Sequence, residues 1–278
     1  MKKRFILLIG VLLLITSCST ESVIEEPTKP SEINTFNETI ENSHVIIDGN
    51  KYAIEETMKE RFYYSEDSKQ LEKKTYETDA EGMSFNYVER YIYKDNIVVE
   101  ENFSNLKGEK ISKTYFTYDH QQRIIKSRAV LQAGDNEIIK EYSYGENTKT
   151  LLQYLPDDQF LRKVITYYDE DNRIIKTESY NQADNITSLT EKKYENENIM
   201  RDVTKENNKI TAKRYEEKNN MGDVIKFASI IYLDENDPST MFYLVDNTYD
   251  DNMRLIEKIQ YKVINQIDAK ILENNYFK

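Results

Sequence analysis

Asp119-His120 is the one place where an acid and a histidine are neighbours, and the chain holds only one other histidine, His44. An Asp-oriented imidazole would serve as a general base, and a serine hydrolase would have to use one of these two. Adjacent residues on a strand point apart, and the pair falls in a stretch that reads as a turn, so it forms no dyad by itself. Two histidines and a single cysteine, Cys18, supply neither a His-rich metal centre nor a thiolate cluster nor a disulfide. The acidic runs Asp169-Glu170-Asp171-Asn172 and Asp234-Glu235-Asn236-Asp237 have oxygen ligands for Ca²⁺ but lack the Asp-x-Asp-x-Asp-Gly loop. They read first as hairpin turns. With 50 Asp and Glu present, a carboxylate pair for glycoside hydrolysis stays open, though no pair stands out. No Gly-rich phosphate loop occurs. The expectation is a protein with no catalytic residues, no metal and no cofactor.

The 278 residues carry a net charge of -12, with 38% apolar and 32% charged residues. An acidic balance disfavours nucleic acid, whose recognition rests on displacing counterions with a basic surface. It equally disfavours electrostatic docking on anionic lipid.

Met1-Lys2-Lys3-Arg4 precedes an apolar run from Phe5 to Ile15, the layout of a secretory signal peptide and too short for a comfortable membrane span. Ile15-Thr16-Ser17-Cys18 then places small residues just before the sole cysteine. This segment resembles the lipobox of bacterial lipoproteins. The resemblance implies removal of residues 1–17, acylation of Cys18 and attachment to an envelope membrane, at the outer membrane or cell surface. Residues 18–40 read as the acylated Cys18 followed by a flexible tether, polar and holding Pro27 and Pro30. Residues 41–278 form the remaining domain.

That domain repeats. Tyr118-Asp119 leads to Arg123-Ile124-Ile125-Lys126, Tyr168-Asp169 to Arg173-Ile174-Ile175-Lys176, and Tyr249-Asp250 to Arg254-Leu255-Ile256-Glu257. Weaker copies begin at Tyr93, Tyr144 and Tyr194. Lead tyrosines at 93, 118, 144, 168 and 194 hold a period near 25 residues, which signals a repeat architecture. Tyr64 marks a possible start. After 194 the phase loosens, because Tyr215 arrives early and Tyr249 late. β-Branched and aromatic segments flank each Asn/Asp-rich turn, so one repeat reads as strand, turn, strand, turn. The expected fold is all-β: an antiparallel meander of 16 to 19 strands forming a long twisted or curled sheet, without a large helical domain. Residues 65–75 fit a short helix or a hairpin equally. Lys270-Ile271-Leu272-Glu273 reads as a charged end strand guarding an edge. In Phe85–Tyr93 neither face is cleanly apolar, so ring and aliphatic-stem packing would cover the sheet.

The Tyr-Asp…Arg-Ile-Ile-Lys units resemble the YD (RHS-type) repeats of bacterial surface and secreted proteins, over roughly residues 60–260. The resemblance implies a β-sheet shell and a surface location, not an activity. The family usually has Gly before the Arg; here Gln122, Asn172 and Met253 stand there. The tyrosines themselves read as amphipathic filler of a lean sheet, or in part as a platform for glycan or peptide. The expected role is a non-catalytic binding or scaffold module held by lipid, with a glycan or protein ligand. A carbohydrate-processing role and an immunity-like partnership with a toxin system are the alternatives.

Overall fold

A computed structural model describes residues 44–78, 84–132, 137–232 and 238–277. Cys18, the leader, the tether and the 234–237 acidic run lie outside the described residues.

The described residues form seventeen strands, one 3-10 turn (Pro156–Asp158) and one short α-helix. The first strands are β1 (His44–Ile47), β2 (Asn50–Tyr64), β3 (Gln70–Thr78), β4 (Ser84–Lys94) and β5 (Ile97–Asn105). β6 (Lys110–Tyr118), β7 (Ile124–Leu131), β8 (Glu137–Tyr144), β9 (Thr148–Leu155) and β10 (Gln159–Tyr168) follow. β11 (Ile174–Tyr180), β12 (Ile186–Tyr194), β13 (Ile199–Glu206) and β14 (Lys209–Lys218) continue the array. β15 (Val224–Ile231), β16 (Ser239–Tyr249), β17 (Leu255–Val263) and the helix α1 (Ala269–Tyr276) complete it.

Every consecutive pair from β2 to β17 is antiparallel, and β17 returns to pair with β2 from Glu257↔Arg61 to Val263↔Ile54. The meander is therefore a closed barrel of sixteen strands. β1 folds back on the start of β2 through an Asp48-Gly49 turn in which both residues have positive φ. Closure is not legible in the sequence, where the sheet reads as curled with guarded edges. Residues 65–75 form the β2–β3 hairpin rather than a helix.

Turn chemistry explains the strand limits. Seven hairpins use one five-residue turn, in which the first N–H bonds the fifth carbonyl and the fourth N–H bonds the first carbonyl. Asp119, Asp169, Asp250, Asn219, Asn105 and Asn181 open six of them. In each, the side-chain Oδ1 accepts the backbone N–H groups of the third and fifth residues. Only a short side chain with an acceptor two bonds from Cβ reaches both, hence Asp or Asn. The fourth residue sits in the left-handed region at Gln122 (φ 60°), Asn172 (63°) and Met253 (61°), the positions just before the motif arginines.

The best-buried apolar cluster lies where β1, β2, β14–β17 and α1 meet, around Val45, Tyr215, Ile230, Phe242, Leu244 and Leu272. The helix is a departure from expectation, since Lys270–Glu273 reads as an end strand. Asp268 caps it by accepting the Lys270 N–H at 2.8 Å, and Leu272 becomes fully buried. Short local alternation cannot separate one buried helical turn from a strand.

Candidate functional site

The motif residues meet at one rim of the barrel and clasp neighbouring hairpins together. Asp119 holds Arg123 by its Nε at 2.8 Å, and Arg123 lies 4.4 Å over the ring of Tyr144 in the next hairpin. The Tyr144 hydroxyl donates to the Ile124 carbonyl at 2.9 Å. Asp169, Arg173 and Tyr194 repeat this with 2.8 Å, 5.0 Å and a 2.9 Å bond to the Ile174 carbonyl. Asp250 and Arg254 make the same contact at the seam. Arg254 lies 5.0 Å over Tyr64, whose hydroxyl donates to the Leu255 carbonyl at 2.9 Å. Tyr93 and Tyr118 donate to Gln70 and Val98 carbonyls. Tyr168 takes its place through its backbone N–H to the Asn147 carbonyl.

The apparent loss of phase after 194 is a substitution. Lys218-Asn219 occupies the Tyr-Asp slot, with Asn219 opening the standard turn. Tyr249 compensates, since its hydroxyl donates to Asp223 at 2.5 Å and accepts from Asn219 at 2.7 Å. Burial and the Asp223 carboxylate push its phenol up to about 12. The motif residues are thus structural, and none converges on a cavity as a reacting group.

The carboxylates of the turns are held in their charged form. Hydrogen bonds from the Arg123 backbone and guanidinium lower Asp119, and those of Arg173 lower Asp169. His120 is exposed in the same turn, and His44 starts β1 at the other end of the barrel, so the histidines share no site. Among the described residues no group of three or more His, Cys, Asp or Glu could hold a metal.

Charge runs through the middle of both faces. Glu89 and Arg90 are neighbours in β4 and point to opposite sides. Glu89 bonds Lys73 at 2.7 Å, and Lys73 and Lys258 bracket Glu60 at 3.3 and 2.9 Å. On the other face Arg90 bonds Glu72 at 2.6 Å, and Glu72 is only 2% exposed. The lipid-facing wall of a membrane barrel is an apolar band about 25 Å tall. With these ion pairs at mid-height, neither face of β2, β3, β4 and β17 offers one. No described helix is long and apolar enough to cross a membrane.

Glu101 is a half-buried acid whose pKa is raised, by desolvation first and by Glu89 second. Asp202 is raised as well, by burial, and its Oδ1 accepts no hydrogen bond from the described residues. Two carboxyls side by side suit acid–base chemistry, but Glu89 is tied to Lys73 and to the Tyr91 hydroxyl at 2.6 Å.

A groove of about 870 Å³ lies on the face that carries α1. Its floor is a single cross-strand row, Tyr167↔Lys176↔Glu191↔Val203↔Lys213, contributed by β10 to β14. Lys193 and Arg201, directly opposite each other, flank the row. Phe277, just past α1, forms a wall. The wall is fixed from the floor: Lys213 bonds Glu273 at 2.7 Å, Tyr232 bonds it at 2.8 Å, and Arg201 donates to the Tyr276 carbonyl. Five basic side chains, Lys176, Lys193, Arg201, Lys205 and Lys213, stand with one acid, Glu191, along the groove, while Lys192 and Asp202 pair across the opposite face of the same strands, on a protein with net charge -12. Sequence reading misses this groove because its residues are spread from 167 to 277 and, apart from their neighbours in the chain, carry no motif. The charged run Glu191-Lys192-Lys193 on β12 is the only signal, and solvated strands carry the same pattern.

The fold and groove define an all-β protein built as one closed sixteen-stranded meander. No family model matches the chain, and no curated protein matches it. Among solved structures, a porin-like protein from Bacteroides uniformis is similar at 9% identity and TM-score 0.37, covering 78% of this chain and 98% of that one. A TcdB2-TccC3-Cdc42 complex is similar at 15% identity and TM-score 0.24, covering 76% of this chain and 14% of that one. A protein of unknown function from Bacteroides fragilis follows at 11% identity and TM-score 0.20, covering 49% and 87%. Superpositions this loose leave fold and role to the chain's own geometry.

Proposed function

We propose that the chain is a bacterial envelope lipoprotein, anchored through Cys18, whose barrel acts as a non-catalytic binding module. The observation that carries the reading is the pair of ion networks on opposite faces, Glu60–Lys73–Glu89 and Glu72–Arg90. Such a barrel is at home in water on both sides, so its membrane attachment has to come from outside the barrel. The leader ending in Ile15-Thr16-Ser17-Cys18 supplies that attachment, because more than one acyl chain on Cys18 holds a protein stably at a bilayer. The groove beside α1 supplies the binding surface, since its size lies within the usual range of about 300–1,000 Å³ for ligand sites.

The test is fractionation. Wild-type protein is expected in the membrane pellet and Cys18→Ala in the soluble fraction. A Cys18→Ala protein that stays with membranes as fully as wild type overturns the anchor.

A further inference from the structure

We infer that the groove beside α1 binds an amphipathic organic anion, with one negative head on Lys193 and an apolar body along Val203, Ile210 and Phe277. The inference deepens the binding-module reading and rests on it.

The charge balance of the groove points to a single anionic head. Lys176 is paired with Glu178 at 3.1 Å, Lys205 with Glu191 at 2.7 Å, and Lys213 with Glu273 at 2.7 Å. Arg201 is paired with Glu195. Four of the five cations thus have an acid of their own. Lys193 is exposed, feels Glu191 only at longer range and makes no contact ion pair among the described residues, although it lines the groove opposite Arg201. A single cation without a contact partner suits one anionic head, and a polyanion would have to break existing pairs.

The rest of the lining points to an apolar body. Ile175 and Ile210 are 39% and 44% exposed, and both line the groove with Val203 and Phe277. Exposed aliphatics gathered beside a fixed aromatic wall are the usual lining of a small-molecule site. A peptide would gain its affinity from main-chain bonds to a strand edge. The floor strands β10 to β14 have no edge, because each is paired on both sides. Nucleic acid is disfavoured by the overall charge.

Straight-chain carboxylates from hexanoate to dodecanoate are the probe, titrated calorimetrically into the full chain carrying Cys18→Ala, so that no attached lipid competes. Affinity is expected to rise about fourfold per added methylene. Lys193→Glu and Ile210→Asp are each expected to lower dodecanoate affinity at least tenfold with melting temperatures unchanged. A flat chain-length series, equal binding of dodecyltrimethylammonium, or wild-type affinity in both variants overturns the inference. An acidic oligosaccharide that binds while the carboxylates do not would overturn this ligand class and leave the binding module standing. Membrane retention that persists in Cys18→Ala would sink the anchor alone.

Discussion

Removing one hydroxyl at the seam tests whether the barrel is closed in solution. Tyr64→Phe deletes the 2.9 Å hydrogen bond to the Leu255 carbonyl and keeps the ring under Arg254. A net hydrogen bond is worth about 1 kcal/mol, and the retained cation–π contact keeps its share of about 0.5–1 kcal/mol. Tyr144→Phe deletes the matching 2.9 Å bond to Ile124 within the array. The two bonds match in length and in acceptor and differ chiefly in sequence separation, 191 residues against 20. In a closed ring the two substitutions therefore cost about the same. With a urea slope of about 2–3 kcal/mol/M, each should lower the unfolding midpoint by about 0.3–0.5 M, read by far-UV circular dichroism. A Tyr64→Phe midpoint equal to wild type, beside a lowered Tyr144→Phe midpoint, would show that the seam stands open and refute the closure argument.

Met253 holds a left-handed backbone that costs an L-residue about 1–2 kcal/mol, against about 0.5–1 kcal/mol of extra unfolded-state entropy for glycine. Met253→Gly should therefore stabilise by about 0.5–1 kcal/mol, and a lower melting temperature would contradict it; Asn172→Gly should gain less, because Asn tolerates that region. Burial alone would raise the Glu60 carboxyl, but hydrogen bonds and charge from Lys258 and Lys73 outweigh it and leave it below its ordinary value. Asp119, Asp169 and Asp250 are likewise lowered. A folded-state pKa below the unfolded one gives stability that is complete above about pH 5 and lost as pH falls through the folded values. Urea midpoints should be flat from about pH 6 to 8 and decline below about pH 4.5, less steeply in Glu60→Gln; a pH-independent midpoint down to about pH 3 would refute the linkage.

What can be read from sequence is local. The Asp and Asn that open the turns announce themselves, because one residue type does one geometric task at one position. The tyrosine period is legible for a related reason: the hydroxyls of Tyr64, Tyr93, Tyr118, Tyr144 and Tyr194 each bond a backbone carbonyl of the neighbouring hairpin. Lys218 hides a repeat, since the backbone kept the slot after the side chain changed. Closure depends on strand number, tilt and stagger summed round the ring, and no single residue encodes that sum. The groove escapes because five strands contribute a residue or two apiece. Leu272 reads as strand because a single buried turn of helix leaves too short a pattern.

The β17–β2 seam also orders events during synthesis. Every other barrel pairing joins strands adjacent in the chain, so hairpins can zip as they emerge. The seam alone joins two segments that lie 196 residues apart at Arg61 and Glu257. A chain made from its N-terminus leaves one side of β2 without its partner strand until β17 has been synthesised, and the ring can shut only then. The seventeenth strand is in this sense a latch, and until it is made the nascent barrel is an open ribbon.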